Sequence, residues 1–313
     1  MAKWGLVIQG PAKSFGGARF REKVFDCEST VRKNIGNALG LVDSLVLSSW
    51  ENESWSIPDT AIAKLVNPLP DFDRANTRKQ FLSTLRGLEH LEAEGCDFII
   101  KIRTDQLLPR SVFREIRKVF DSDPCSNRVL LSDFVPGSLF YAGDFVFAGS
   151  ARAIRSFVDS YLGFGPIDLH PSTGVDYVLK FLCANDPRYV EYINPFVPSI
   201  IQIADSRNQR LSKAWDSIRQ ERFSFLTRES FNSIVWRGQK ITEVIPTAGF
   251  GFDKENVAST QYLRPKSSAL GALSGIVDAL RKERRVFVAA QGTTPSREIV
   301  RGLLSGEYKL ETG

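Results

Sequence analysis

Along the first 190 positions the apolar residues fall into two alternating patterns. Short, nearly unbroken apolar runs occur at Trp4 to Gln9, Ser44 to Ser48, Ala61 to Val66, Asp97 to Ile102, Val129 to Ser132 and Gly143 to Ala148. Runs of this length, rich in β-branched and aromatic residues, predict strands buried on both faces. Longer amphipathic stretches lie between them. Thr77 to Glu94 carries Phe81, Leu82, Leu85, Leu88 and Leu91 on one side, and Gly95 follows as a natural stop. Helical character is also read from about Arg19 to Leu39 (Val24, Phe25, Val31 and Ile35 apolar), Ser111 to Phe120, Ala151 to Tyr161, and from near Gly174. Strands joined by helices predict an α/β fold, an open, mainly parallel sheet with helices on both faces. After Pro187 the pattern weakens into an irregular C-terminal extension. Val197 to Ile203 and Lys240 to Ile245 read as strands there, and Ile276 to Arg284 as a helix.

Composition narrows the chemistry. The chain has 313 residues, 42% of them hydrophobic, enough for one large core or two smaller ones. No apolar run is long enough to span a bilayer. The first residues enter a strand without the apolar core of a signal peptide, so a cytoplasmic protein is expected. Four scattered cysteines without a CxxC pair fit reduced core thiols, and with only two histidines a Cys/His zinc site is not expected. The net charge is +5, and the basic cluster Arg281 to Arg285 reads either as a solvated helix end or as a contact for an anionic surface. Aromatics interleaved with Arg and Lys are missing, so nucleic acid is not an expected partner.

The most informative segment is DFIIKIRTDQ, Asp97 to Gln106. A buried strand ends there in Arg103, Thr104, Asp105 and Gln106, and Pro109 prevents its continuation. Ligands of open α/β sheets bind just beyond such strand ends. Arg103 and Asp105, two residues apart, share a face and suit a phosphate and a metal ion; a solvated salt bridge is the other reading. The loop after the first strand, QGPAKSFGG, has glycines at 10, 16 and 17. That spacing is neither the dinucleotide fingerprint nor a P-loop. These glycines either let a ligand approach the backbone or only form a turn.

Five segments occur in order: VIQGP (Val7 to Pro11), LVLSSW (Leu45 to Trp50), NTRKQFLSTLRGL (Asn76 to Leu88), KIRTDQ (Lys101 to Gln106), and SDF followed by GDFVFAG (Ser132 to Phe134, Gly143 to Gly149). Together they resemble the WavE lipopolysaccharide-synthesis family, whose members look like GT-A glycosyltransferases. The resemblance covers roughly residues 5 to 150. It implies a GT-A-like sheet and transfer of a sugar from a nucleotide-sugar donor to a surface polysaccharide or lipopolysaccharide glycan, free or lipid-linked. Gln9, Gly10, Pro11, Asn76, Arg78, Gln80, Arg103 and Asp105 are then the donor-binding candidates. Asp105 stands where GT-A enzymes keep the last Asp of a metal-binding Asp-x-Asp, which implies Mn²⁺ or Mg²⁺. Arg103 replaces the first Asp, and a guanidinium can itself neutralise a diphosphate.

An inverting transfer needs a carboxylate base near the acceptor hydroxyl. The candidates are Asp176, in the first turn of a helix, and Asp133 and Asp144, which flank a strand pair. Each also reads as a structural residue: Asp176 as a helix N-terminal charge, the others as turn residues or sugar-hydroxyl acceptors. Asn76 also reads as a plain N-cap and Arg78 as a solvated charge, while Trp50 and Trp55 suit stacking or core packing. Residues 1–190 are expected to form the nucleotide-sugar-binding and catalytic region. Residues 191–313 would complete the acceptor side and carry a basic helical tail. Arg281 to Arg285, beside Leu280, Val286 and Phe287, would rest that tail on the inner face of the cytoplasmic membrane. The competing readings are a catalytically inactive GT-A-like protein that binds a glycan or partner, and a sugar nucleotidyltransferase.

Overall fold

The computed structural model describes residues 2–15, 23–58, 62–73, 76–132, 140–165, 167–170, 173–192 and 206–244. In chain order the first elements are β1 (Trp4–Gln9), β2 (Lys13–Phe15), β3 (Val24–Asp26), α1 (Glu28–Ala38), β4 (Ser44–Trp50), β5 (Ala63–Asn67) and α2 (Thr77–Ala93). Then come β6 (Phe98–Arg103), β7 (Gln106–Leu107), α3 (Arg110–Asp121), β8 (Val129–Leu131), β9 (Phe147–Ser150), α4 (Ala151–Gly163) and α5 (Thr173–Asn185). A 3-10 turn at Pro187–Tyr192 precedes α6 (Ser206–Arg222), β10 (Phe223–Phe225), α7 (Arg228–Asn232), β11 (Val235–Trp236), β12 (Gln239–Lys240) and α8 (Ile241–Val244).

Contacts divide the chain into two compact units. One is Met1–Pro136, Ala142–Asp159 and Asp216–Gly251; the other is Gly137–Tyr141, Ser160–Trp215 and Phe252–Gly313. The first contains a seven-stranded sheet in the order β10-β8-β9-β6-β1-β4-β5. β1 runs parallel to both neighbours, β4 and β6, and β5 and β10 are also parallel to their partners. Among the described strands of this sheet β9 alone runs antiparallel, to both β6 and β8. The sheet is therefore open and mainly parallel, as the sequence predicts.

Strand alternation decides what covers each face. Trp4, Leu6 and Ile8 of β1 and Phe98, Ile100 and Ile102 of β6 form one cluster with Val31 of α1 and Val112, Phe113, Ile116 and Phe120 of α3. The opposite face meets α2 so closely that glycine is required. A Cβ on Gly87 would stand 2.5 Å from Val7 Cγ1, and one on Gly5 would stand 2.7 Å from Leu91 Cδ1. α4 joins this face through Phe157, whose ring centroid lies 5.1 Å from that of Phe147 and 5.8 Å from that of Phe81. Helices thus cover both faces.

Three elements differ from the sequence expectation. The helix expected from Arg19 begins at Glu28, and Val24–Asp26 is instead a strand paired with Lys13–Phe15. Val24 and Phe25 are a β-branched and an aromatic residue whose spacing imitates a helical face. The Cys27 amide, donating to the Ala12 carbonyl at 2.9 Å, closes the hairpin. The strand expected at Gly143–Ala148 forms four residues later, at Phe147–Ser150. The Asp144 carbonyl is not in the ladder because the side chains of Lys101 and Gln80 take it, at 2.9 and 3.3 Å. Of the strand expected at Lys240 to Ile245, only Lys240 pairs, as the end of β12, and Ile241–Val244 is a helical turn. Cys125 is exposed, unlike the other three thiols, which are buried as expected. The segments Val197 to Ile203 and Ile276 to Arg284 lie outside the described residues.

In the second unit α5 buries ten consecutive residues, Gly174 to Cys183. Phe140 packs between Tyr192 and Trp215, each with ring centroids 5.2 Å away. Among the described residues no helix is long and apolar enough to cross a membrane.

Candidate active site

Register places the site. Gln9 is aligned with Ser48 on one side and Arg103 on the other, so the C-terminal ends of β4, β1 and β6 lie in one row. Beyond this row the chain turns at Gly10, whose φ of +133° suits a residue without Cβ. The turn is held tightly. The Gly10 amide donates to the Ser48 carbonyl at 3.2 Å, and Ser49 Oγ donates to the Gly10 carbonyl at 3.0 Å. Thr104 bonds the same turn twice, through its amide to the Gln9 carbonyl (2.9 Å) and its hydroxyl to the Pro11 carbonyl (2.8 Å). A Cβ on Gly10 would lie 2.6 Å from Thr104 Oγ1. The glycine of the IQGP segment is therefore required by both conformation and space.

The turn after β6 is fixed from the other side by α1. Asn34, fully buried, donates to the Gln106 carbonyl (2.6 Å) and accepts from the Leu108 amide (3.0 Å). Asp105 is thereby held at the floor of the site with 2% of its surface exposed. Its Oδ1 accepts from Arg103 Nε at 3.0 Å. Its Oδ2 accepts from Arg103 Nη2 (2.9 Å), Arg237 Nε (2.9 Å), Trp236 Nε1 (3.1 Å) and Ser14 Oγ (3.2 Å). Burial alone would raise this carboxyl's pKa. The charge and paired bonds of Arg103, then Arg237 and Trp236, outweigh burial and hold it well below the usual carboxylate range.

Arg237 reaches Asp105 through local backbone chemistry. β11 and β12 form a hairpin whose two turn residues, Arg237 and Gly238, have φ of +50° and +78°. Positive φ at both central residues marks the tight turn that suits strand twist. β11 pairs antiparallel with β7, Trp236 opposite Gln106, and the Arg237 amide donates to the Asp105 carbonyl at 2.9 Å. The Trp236 ring sits edge-on to Phe145 and carries both guanidinium groups, Arg237 at 5.1 Å and Arg103 at 5.8 Å from its centroid.

Above this floor lies a cleft of about 600 Å³ within the first unit. It brings together eight of the residues expected from sequence: Gln9, Gly10, Pro11, Asn76, Gln80, Arg103, Asp105 and Asp144. Trp50, named as a stacking candidate, lines it too, as do Lys13, Phe15, Glu53, Lys79, Trp236 and Arg237. Asn76 has φ of +61° and gives α2 no side-chain cap, so its side chain is not used as an ordinary N-cap. Gln80 turns inward and holds the Asp144 carbonyl. The Asp144 side chain is 36% exposed, and its carboxylate lies 3.9 Å from Arg103 Nη1.

Two other expected residues are held by partners of their own. Arg78 does not line the cleft; its guanidinium covers the Phe72 ring at 4.1 Å. Asp176 belongs to the second unit and is buried. It pairs with Lys180 Nζ at 2.8 Å and accepts the Leu169 and His170 amides at 2.6 and 3.2 Å. Burial raises its pKa, partly offset by Lys180. Asp133 lies outside the described residues. Trp55 donates its indole N–H to Ser49 Oγ at 2.9 Å, bracing the Gly10 turn. Trp236 and Arg237 had no sequence forecast, although the tetrad Trp236-Arg237-Gly238-Gln239 carries the signal of a two-residue turn.

A divalent metal does not fit Asp105 as it stands. Both oxygens are engaged, and two guanidinium charges occupy the side from which a cation would approach. Among the described residues no group of three or more His, Cys, Asp or Glu side chains could hold a metal ion.

The family description of WavE lipopolysaccharide synthesis matches residues 5–146, and the resemblance read from the sequence is borne out over that span. Solved structures align more loosely. A mannose-1-phosphate geranyltransferase from Thermus thermophilus aligns over 72% of this chain and 74% of its own, at 11% identity and a TM-score of 0.37. A protein from Desulfovibrio desulfuricans described as a nucleotide-diphospho-sugar transferase aligns over 72% and 100%, at 9% identity and a TM-score of 0.36. A 4-diphosphocytidyl-2C-methyl-D-erythritol synthase from Anaerococcus prevotii covers 80% and 98%, at 12% identity and a TM-score of 0.35. No curated protein matches the chain.

Proposed function

We propose that this protein is a glycosyltransferase that binds a nucleotide-sugar in the cleft over Asp105 and passes the sugar to a glycan acceptor of a surface polysaccharide or lipopolysaccharide. One observation carries the reading. Family-like positions far apart in sequence, Gln9–Pro11, Asn76, Lys79 and Gln80, Arg103–Asp105 and Asp144, line one cleft at the carboxyl ends of parallel strands. That is where an open α/β sheet binds its ligand. The family match over residues 5–146 supports the substrate class.

The chemistry assigned to each group follows from its placement. Breaking the anomeric bond leaves negative charge on the departing nucleoside diphosphate, and preorganised cations lower that barrier. Arg103, Arg237, Lys13 and Lys79 line the cleft and supply them. Asp144 is the base that takes the acceptor hydroxyl proton, because its carboxylate reaches the cleft while that of Asp105 is saturated. Residues after 190 complete the acceptor side in this reading, and Trp236 and Arg237 are part of the cleft lining. The protein works in the cytoplasm. Its basic segment Arg281 to Arg285, outside the described residues, is the proposed contact with anionic lipid.

The test is product analysis across a panel of nucleotide-sugars with lipid-linked and free glycan acceptors. Glycosyl transfer releases a nucleoside diphosphate. Release of pyrophosphate from a nucleoside triphosphate and a sugar phosphate would replace this reading with that of a sugar nucleotidyltransferase.

A further inference from the structure

We propose that Arg103 and Arg237, clamped together on Asp105, form a built-in dication that holds the donor diphosphate without a divalent metal at that carboxylate. This rests on the nucleotide-sugar reading of the cleft.

Four observations lead there. First, both oxygens of Asp105 are engaged, and Oδ2 most heavily. Five hydrogen bonds from four side chains converge on its two oxygens, between 2.9 and 3.2 Å. A metal at this position would have to displace guanidinium bonds and then sit against the guanidinium charges. Second, two guanidinium groups stand together at the cleft wall, both bonded to Asp105, with Asp144 3.9 Å from Arg103. Third, Arg103 uses its Nε and Nη2 edge on Asp105. Its Nη1 stands 3.9 Å from Asp144, beyond hydrogen-bond length, at the cleft. The planar fork of a guanidinium suits the oxygens of a phosphate.

Fourth, the pair is preorganised. Arg237 is set by a hairpin turn, by its own amide bond to the Asp105 carbonyl and by the Trp236 ring that both arginines share. Asp105 is thus a positioning residue that aligns two cations, in the sequence position where a metal ligand is expected. Part of the charge neutralisation comes from residue 237, well beyond the span that matches the family.

The experiment is calorimetric binding of UDP, GDP, CDP, ADP and dTDP, and of the matching monophosphates, to the full chain in EDTA and then in Mn²⁺. The expected result is binding of at least one diphosphate in EDTA, little changed by Mn²⁺. Arg237→Gln should weaken that diphosphate by about 10- to 100-fold, the loss expected for a hydrogen bond to a charged group. The matching monophosphate should change much less, a split that general loosening of the fold would not produce. Arg237→Lys, which keeps the charge, should fall between. Diphosphate binding that requires Mn²⁺ overturns the proposal and leaves the nucleotide-sugar reading standing. Metal-free binding that Arg237→Gln and Arg237→Lys leave unchanged overturns the assignment of Arg237. No binding of any diphosphate or nucleotide-sugar, with or without Mn²⁺, removes both the reading and the proposal.

Discussion

Lys101 Nζ donates to the backbone carbonyl of Asp144 at 2.9 Å, from a side chain with no exposed surface. The same ammonium lies 4.2 Å from the centroid of the Phe147 ring. A lysine in the middle of a buried strand therefore fixes the loop that carries Asp144 to the cleft, and leaves the Asp144 carboxylate to the ligand side. Burial brings the Lys101 amine down to about 7, with the nearby Asp144 charge opposing the shift.

That shift has a sign that can be measured. The folded value lies below the unfolded lysine value of about 10.4, so between the two the unfolded chain holds a proton that the native protein lacks. Stability should rise with pH through this window because of Lys101. Lys101→Met should flatten the rise. Urea unfolding of both proteins at neutral and alkaline pH checks it, and equal slopes would mean that Lys101 is not the group responsible.

Asp105→Asn removes the buried carboxylate that two partly buried guanidinium groups share. Breaking such a pair typically costs about 3–5 kcal/mol, so the variant should be markedly less stable as well as inactive. The pH dependence runs opposite to that of Lys101. The folded Asp105 carboxyl sits below its unfolded value of about 3.9, so its contribution is complete above that value and is lost as pH falls toward the folded one. Acid titration of unfolding should show a steeper decline in the wild type than in the variant.

Asp144→Asn should act differently. The carboxylate makes one long ion pair and is partly exposed, and the backbone carbonyl that fixes its loop is untouched by the change. Stability should stay within about 0.5 kcal/mol, while turnover falls roughly 10²–10⁴-fold, as expected for loss of a general base. Wild-type turnover in this variant would sink its assignment as the base.

Gly10→Ala tests the turn that lines the cleft. The added Cβ meets Thr104 Oγ1 at 2.6 Å with φ at +133°, so the turn must open. A cost of about 1–3 kcal/mol is expected for holding such backbone strain, together with weaker nucleotide binding. Gly87→Ala, whose Cβ meets Val7 Cγ1 at 2.5 Å, provides the comparison. It should cost about 1–3 kcal/mol by overpacking but lies outside the cleft lining. If Gly87→Ala alone impaired binding, the turn would not be the sensitive element.

The legible parts of the sequence were those where one local pattern had one physical cause. Unbroken apolar runs gave β1, β4 and β6, and the polar ending Arg103-Thr104-Asp105 marked the floor of the cleft. A first-turn carboxylate such as Asp176 looks alike in sequence whether it serves a substrate or a neighbour. Its partner Lys180, four residues on, was visible on the same helix face. Val24 and Phe25 misled because three-residue strands carry too few positions to separate a period of two from one of 3.6. Arg237 was hidden for a related reason. Its hairpin has two residues per strand, and its position follows from pairing with β7 rather than from any pattern of its own.

The late hairpin also sets a clock on synthesis. Arg237 is 132 residues downstream of Asp105. At about 5–20 residues per second, a ribosome takes roughly 7–26 s to cover that distance. For that interval the nascent chain carries a buried-type aspartate without Arg237 or Trp236, and β8 has no β10 along its outer edge. An unpaired edge of this kind invites pairing with other chains. Chains arrested before residue 223 should therefore be cut readily by protease near the Asp105 turn and retain chaperones, whereas chains arrested after residue 244 has cleared the exit tunnel should resist. Equal resistance of the two would mean that the sheet matures without its last strand and hairpin.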